Sequence, residues 1–307
     1  AAPAATPELK ADSEAQAKAW AAFDEAQAKA QYEKALARWR KQAAQAKAAG
    51  KPAPRRPFDP VVQRARRGGP GGLFYGKIAP LIPYAVRGVL WYQGEANTRP
   101  GKGLLYQYQL PLLVTDWRTR WGQELPFAWV QLPNFGRPGE GWMQVREGML
   151  KTLRLPKTGM AITIDIGDPE DIHPQNKQDV GRRLALWALG DVYGKQPGAT
   201  SGPLPSGHEA RGGEIVVSFS HAEGGLQAKG GELKGFVIAG EDRQWKPAKA
   251  RIEGKQVVVS SPEVKSPRAV RYAWAPNPDA NLVNAHGLPA TPFRTDDWPA
   301  DEETTGR

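Results

Sequence analysis

The chain contains no cysteine, which excludes disulfide bonds, cysteine nucleophiles and thiolate metal sites. It also lacks any run of about 18 apolar residues, the length that a membrane-spanning helix requires. Only four histidines occur among the 307 residues, whereas zinc sites in proteins usually take two or three His or Cys ligands. From these absences we expect no membrane span, no metal site and no cofactor.

Positive charge is unevenly distributed along the chain. The formal net charge is +10, and residues 1–72 carry 14 Lys or Arg against seven Asp or Glu. A nucleic-acid-binding protein concentrates such charge on a folded face, whereas here a predicted helix and a linker carry it. We therefore expect no nucleic-acid partner. The 11 tryptophans and the hydrophobic content of 40% predict a sizeable folded core instead.

The N-terminal part is predicted to be helical and then irregular. Residues 12–49 carry an apolar stripe at helical spacing; Ser13 with Gln16 resembles a capping box, and Gly50 supplies a stop. This pattern predicts one long helix that lies on another surface. Residues 51–72 are rich in Pro, Gly and Arg, which is typical of an extended connection.

Alternating strands and helices follow from Leu73 to about residue 200. Short apolar segments, typical of buried strands, lie at 85–92, 126–132 and 160–165. Helical patterns lie between and after them, near 104–120, 142–153 and 174–193. Such alternation predicts an α/β fold with a parallel sheet covered by helices. Ligands bind beyond the carboxyl ends of such strands.

From about Ser201 the pattern changes to short strands separated by Gly, Pro and Asn turns, without helical periods. The predicted strands lie at 214–220, 233–240, 256–261 and 269–274. They predict a small antiparallel β domain in residues 201–307.

His173 is the histidine best placed for chemistry. It follows the third predicted strand by eight residues and has several carboxylates nearby, at Asp165, Asp168, Glu170 and Asp171. A general base oriented by a carboxylate needs this proximity. A hard cation held by Asp165 and Asp168 is the weaker alternative. The other histidines lie in polar or turn-rich sequence, which favours structural or exposed roles.

The segment Trp91–Asn97 (WYQGEAN) is the second candidate site, because its polar residues, from Gln93 on, follow the first predicted strand. Gly94 allows a ligand to approach the backbone, and Gln93 or Asn97 can donate a hydrogen bond to an oxyanion. The alternative interpretation is an ordinary turn in which Glu95 makes structural hydrogen bonds.

The WYQGEAN segment resembles the W-x-Q-G-E-x-N block of the sialate O-acetylesterase family, which belongs to the SGNH hydrolases. Four longer segments resemble family blocks in the same order. These are LFYGKIAPLIPYAVRGVLWYQGEAN, PLLVTDWRTRWGQELPFAWVQL, REGMLKTLRLPKTGMAITIDIGDPEDIHPQNKQDVGRRLALWAL and NLVNAHGLPATPFRTD. The resemblance covers about residues 73–298. It implies part of an SGNH-like three-layer fold, with residues 1–72 and 73–200 in the catalytic domain.

The resemblance implies serine-type hydrolysis of acetyl esters on sugars, either sialic acids or plant polysaccharides such as xylan. In that case His173 is the catalytic histidine of the D-I-H-P block, and Gln93 and Gly94 belong to the oxyanion block together with Glu95 and Asn97. The acid partner stays open: Asp171 ranks first, then Asp165, then Glu170, with a backbone carbonyl as a further possibility. A periplasmic or extracellular location is also implied, although residues 1–7 show no signal peptide.

The chain departs from the family at the nucleophile. The Gly-rich motif G-x-I-x-x-S-W-G-G-T has no counterpart, and every serine except Ser13 follows His173. We therefore expect an N-terminal segment or chain to supply the serine, whether the cause is truncation or cleavage. A pseudoenzyme is the third explanation. A noncatalytic carbohydrate-binding protein is accordingly the alternative function.

Overall fold

The computed structural model describes residues 6–69, 71–136 and 139–298. Contacts divide the chain into two compact units, with the boundary after Ala85. Residues of the predicted catalytic domain from Val86 on and of the predicted β domain lie in the same unit. The α-helices are α1 (Pro7–Ala21), α2 (Glu25–Ala48), α3 (Pro60–Arg67), α4 (Tyr106–Trp121), α5 (Gly141–Thr152) and α6 (Lys177–Trp187).

The prediction of one continuous helix over residues 12–49 is wrong. The first helix begins earlier, at Pro7, with Thr6 as its N-cap, so Ser13 lies inside α1. It ends at Ala21, and a new helix begins after Asp24, whose side chain accepts the backbone N–H of Gln27 at 2.9 Å. Asp is a favoured N-cap residue because its carboxylate satisfies an unpaired backbone donor. The second helix, α2, is still long, with 24 residues.

The connection predicted over residues 51–72 is not irregular throughout, because it contains α3. Asp59 caps this helix by accepting from the backbone N–H groups of Val61 and Val62. Pro60 occupies the first helical position, and Gly68 ends the helix with a left-handed conformation. Pro at the first position and Gly after the last are typical helix boundaries, but clusters of Pro and Gly also favour an irregular connection.

A three-stranded parallel sheet forms the centre of the second unit. Its strands are β1 (Val89–Trp91), β2 (Phe127–Val130) and β3 (Thr158–Ala161), in the order β1-β2-β3. β1 and β2 lie within the segments that the sequence predicts as strands, whereas β3 begins two residues before its predicted segment and ends at Ala161, four residues before that segment ends. The predicted α/β fold with a parallel sheet is therefore confirmed.

Helices cover both faces of this sheet, as a parallel sheet requires. Phe127 and Trp129 of β2 face a large core that includes residues of α4 and α5. Ala128 and Val130 point to the opposite face, where α6 packs with Val180, Leu184 and Trp187. α4 and α5 match the predicted helices to within two residues, whereas α6 ends at Trp187 and is followed by a π-helical turn over Ala188–Val192.

The remaining strands are antiparallel, which confirms the predicted β region. Two four-stranded sheets have the orders β4-β5-β10-β9 and β13-β11-β7-β8, and β12 pairs with β6. The strands are β4 (Leu204–Arg211), β5 (Glu214–Ser220), β6 (Leu226–Ala228), β7 (Phe236–Ala239), β8 (Lys246–Pro247), β9 (Lys249–Glu253), β10 (Gln256–Ser260), β11 (Ala269–Tyr272), β12 (Leu282–Asn284) and β13 (Phe293–Arg294).

The polar sequence around His208 predicts an exposed loop; the residue is exposed, but it lies on β4. The strand was missed because most of its residues are polar or small and exposed at a sheet edge. Among the helices of the described residues, none has the length and apolar character needed to cross a membrane.

Candidate active site

His173 lies in the segment that joins β3 to α6, beyond the carboxyl end of the sheet. Its imidazole Nδ1 is 3.1 Å from Oδ1 of Asp171, and the same oxygen accepts the backbone N–H of His173 at 2.9 Å. These backbone and side-chain hydrogen bonds lower the pKa of Asp171 below its usual value. Asp171 is therefore ionised at neutral pH and pairs with an imidazole whose side chain is 85% exposed.

Asp165 has a different partner. Its two carboxylate oxygens accept hydrogen bonds from Arg183 of α6, at 2.6 and 2.8 Å. The Arg183 side chain is only 9% exposed and also donates to the carbonyl of Ile162. This ion pair fastens the end of β3 to α6, so the geometry favours Asp171 over Asp165 as the partner of His173.

Glu170 contributes its backbone to the same loop, because its N–H donates to Oδ1 of Asp168 at 2.8 Å. This local turn precedes Asp171 directly. Asp168 therefore shapes the loop. The described part of the chain contains no group of three or more His, Cys, Asp or Glu side chains arranged to hold a metal ion.

The residues that follow β1 form a chain of side-chain hydrogen bonds. Gln93 Nε2 donates to Oδ1 of Asn97, and Asn97 Nδ2 donates to Oε1 of Gln109 on α4, each at 2.7 Å. The backbone N–H of Gly94 donates to Oε2 of Glu95 at 3.0 Å. The predicted oxyanion donors are thus held in place, but Gly94 already has a carboxylate acceptor.

Tyr106 of α4 fixes the backbone at the end of β1. Its hydroxyl donates to the carbonyl of Gln93 at 3.0 Å and accepts from the indole of Trp91 at 3.3 Å. Burial raises the pKa of Tyr106 to about 12, so the phenol stays protonated and keeps donating. Sequence reasoning missed this residue because it reads as an ordinary apolar position of a helix, 13 residues from its partner.

A contact between Tyr92 and Lys177 links the two candidate segments. Lys177 Nζ lies 3.0 Å from the Tyr92 hydroxyl and 4.6 Å from the centre of its ring. Tyr92 precedes Gln93, and Lys177 is the first residue of α6, four residues after His173. The contact brings the start of α6 beside the segment after β1.

The serines do not complete a catalytic triad in the described ranges. Ser13 lies in α1, the other serines follow residue 200, and none forms a hydrogen bond with His173. Ser218 accepts from Gln256 at 2.9 Å, and Ser220 donates to the carbonyl of Leu204. These partners are typical of structural serines in a β-sheet.

Comparison with known proteins identifies similar sequences and folds. The family described as "Carbohydrate esterase, sialic acid-specific acetylesterase" matches residues 30–189. Sialate O-acetylesterase of Mus musculus is 31% identical over 267 residues, which cover 76% of this chain and 49% of the mouse protein. The Homo sapiens protein of the same name is 28% identical, covering 77% of this chain and 50% of its own. The chain thus spans about half the length of these relatives.

A solved structure is similar as well. The crystal structure of a novel carbohydrate acetylesterase from Xanthomonas citri shares 47% sequence identity and a TM-score of 0.69 with this chain. The match covers 72% of this chain and 52% of that one. His173, Asp171 and Gln93 all lie within the range of the family match.

Proposed function

This chain belongs to the sialic acid-specific acetylesterase family of carbohydrate esterases, and we propose that it is part of a carbohydrate O-acetylesterase. The reaction is hydrolysis of an acetyl ester on a sugar hydroxyl, which yields the free hydroxyl and acetate. The observation that carries the proposal is the pairing of His173 with Asp171 beyond the carboxyl end of the sheet.

In the proposed mechanism a serine hydroxyl attacks the acetyl carbonyl, and His173 takes the proton of that hydroxyl. Because Nδ1 faces Asp171, Nε2 is the ring nitrogen that accepts the proton. Collapse of the tetrahedral intermediate breaks the bond to the sugar oxygen, which receives the proton from His173. Water then hydrolyses the acetyl-serine by the same route and releases acetate.

Gln93 is the proposed side-chain donor to the oxyanion of the tetrahedral intermediate. Its Nε2 carries two hydrogens, and Asn97 accepts one of them, which leaves the second for the substrate. The N–H of Gly94 becomes a donor only after Glu95 moves away from it. Preorganised donors of this kind contribute about 10²- to 10³-fold to catalysis.

The nucleophile in this proposal comes from a segment outside residues 1–307. The support is the outer edge of the parallel sheet, where β1 pairs with β2 and with no other described strand. All residues of β2 are buried, whereas Leu90, in the middle of β1, is 60% exposed. Strands of parallel sheets are normally buried on both faces. The exposure of Leu90 therefore supports the proposal that a further segment packs beside β1.

The proposed substrates are O-acetylated sialic acids or acetylated plant polysaccharides such as xylan, and the proposed location is the periplasm or the cell exterior. The relatives that carry functional names are esterases. The alternative of a noncatalytic carbohydrate-binding protein is therefore not favoured. Cell fractionation and an assay on both substrate classes address these points.

A reconstitution experiment tests the proposed function. The chain is produced alone and together with a segment that carries a strand and a Gly-rich serine motif, as read from the complete gene. We expect acetyl release from p-nitrophenyl acetate and from an O-acetylated sugar only when both parts are present. Saturable activity of the chain alone, or a gene without such a segment, would refute the origin of the nucleophile proposed here.

A further inference from the structure

Asn134 bridges two loops that lie on either side of it. Its side-chain Oδ1 accepts the backbone N–H of Gly167 at 2.7 Å, and its Nδ2 donates to Oδ1 of Asn277 at 3.0 Å. Gly167 belongs to the loop that leads to His173, whereas Asn277 belongs to a loop of the antiparallel β region. One amide side chain thus ties the His173 loop to the β region.

The backbones around this bridge are also in direct contact. The N–H of Gly136 donates to the carbonyl of Pro169 at 2.8 Å. A Cβ atom at Gly136 would lie 2.6 Å from that carbonyl oxygen, and one at Gly167 would clash with the carbonyl oxygen of Asn134. The segment after β2 and the His173 loop approach this closely because glycine occupies both contact positions.

Arg146 of α5 binds the backbone next to both residues of the Asn134–Asn277 bridge. Its fully buried guanidinium donates to the carbonyls of Leu132 and Pro133, at 2.9 and 2.6 Å, and to those of Ala275 and Pro276, at 2.8 and 3.0 Å. The first two carbonyls precede Asn134 and the last two precede Asn277. Arg146 therefore holds both flanking segments of the bridge with one planar group.

We propose that Asn134 is a positioning residue, through which the β region holds the His173 loop at the carboxyl end of the sheet. The inference rests on the proposed function of His173. The segment between β3 and α6 contains no described helix or strand, and the contact of Asp171 with His173 spans only two residues. That local contact orients the imidazole relative to its own loop. The position of the loop relative to the sheet depends on contacts such as those made by Asn134.

Amide hydrogen exchange on the 307-residue chain tests the structural part. In Asn134→Ala, we expect exchange in residues 165–173 to become about five- to thirtyfold faster, which corresponds to the loss of one or two hydrogen bonds. Asn134→Asp keeps the acceptor for Gly167, and rotation of the Asn277 amide supplies a donor for it, so exchange should stay near wild type. Unchanged exchange in Asn134→Ala would overturn the proposal.

Asn281→Ala is the matched control. Asn281 is a half-buried amide that donates to the carbonyls of Lys229 and Glu232, and it accepts from the N–H of Lys234. It therefore has three partners where Asn134 has two, and all three lie within the β region. Its removal should speed exchange near residues 229–234 and leave residues 165–173 unchanged. Equal acceleration of the His173 loop in both variants would mean general destabilisation and would overturn the proposal.

Kinetics of the reconstituted enzyme test the catalytic part. We expect Asn134→Ala to lower kcat about 10- to 100-fold with KM within about twofold, because a misplaced base slows the chemical step. Asn134→Asp should restore most of kcat, and Asn281→Ala should retain it. Faster exchange with unchanged kcat would refute the positioning role. Absence of turnover in the wild-type assembly would instead refute the proposed function, while the exchange data still decide whether Asn134 holds the loop.

Discussion

Oδ1 of Asp171 lies 3.1 Å from Nδ1 of His173 and 2.9 Å from the backbone nitrogen of the same residue. One carboxylate oxygen therefore contacts both the ring and the backbone of the histidine. The arrangement leaves Nε2 for proton transfer, as a general base needs.

Replacement of Asp171 and of Asp165 by asparagine separates the roles of these two candidate acids. Asp171→Asn should lower kcat/KM on the order of 10²- to 10⁴-fold, because the amide no longer stabilises an imidazolium. Asp165→Asn should act mainly on stability, lowering the free energy of unfolding by about 1–3 kcal/mol, because Arg183 loses a charged partner. Assays and thermal unfolding at pH 7 measure both effects, and a larger activity loss in Asp165→Asn would identify Asp165 as the acid.

The buried hydroxyl of Tyr106 predicts a specific alkaline behaviour. Because its folded-state pKa is raised to about 12, the unfolded chain releases this proton first, and the associated stability is lost as pH rises from about 10 to 12. Below pH 11, the increase in absorbance from tyrosinate formation should therefore be the same in Tyr106→Phe as in wild type. The substitution should also lower the free energy of unfolding by about 1 kcal/mol at pH 7 through the unpaired carbonyl of Gln93. A clearly smaller absorbance increase in Tyr106→Phe than in wild type below pH 11 would show that Tyr106 ionises at a lower pH.

Alanine at three glycines should give a graded series of stabilities. Gly167→Ala should lower the free energy of unfolding by about 3 kcal/mol or more, because the new methyl group would clash with the backbone of Asn134, which cannot rotate away. Gly94→Ala should cost about 1–3 kcal/mol, because its Cβ would lie 2.9 Å from the flexible end of Met149. Gly181→Ala should raise the free energy of unfolding by about 0.5–1 kcal/mol, because its Cβ would enter open space and alanine is favoured over glycine within a helix such as α6. Urea unfolding measures the order, and a reversal of the first and last would contradict the described backbone contacts.

A charge on the outer strand tests where the serine-bearing segment binds. Leu90→Asp should weaken its binding by about tenfold or more, because a carboxylate would be buried in the new interface. Leu104→Asp is the control, since Leu104 is also exposed, at 45%, but lies outside the sheet. Titration of labelled segment into each variant gives the affinities. Equal binding to both would exclude the edge of β1 as the docking position.

The parallel sheet was predictable because its signals are local. Its strands are short runs of apolar, β-branched or aromatic residues, and β1 is followed at once by the polar cluster that begins at Gln93. The pairing of Asp171 with His173 spans two residues and was also accessible from the sequence. A contact is predictable from the sequence when the residues that make it lie close together along the chain.

Contacts between distant residues were not predictable in this way. The amide of Asn134 meets Asn277 across 143 residues, and Asp165 meets Arg183 across 18. The break before α2 was missed for another reason: alanine-rich sequence favours a continuous helix, and the cap at Asp24 outweighs that preference only locally.

The most direct test of the account is the rate of acetyl release by the reconstituted enzyme with and without His173. Wild type, His173→Ala and His208→Ala are compared on an O-acetylated sugar at pH 7, with folding checked by circular dichroism. His208 is an exposed histidine on β4 and serves as the control. We expect that His173→Ala lowers kcat/KM by several orders of magnitude and that His208→Ala retains wild-type activity. Near-normal turnover in a folded His173→Ala enzyme would contradict this expectation.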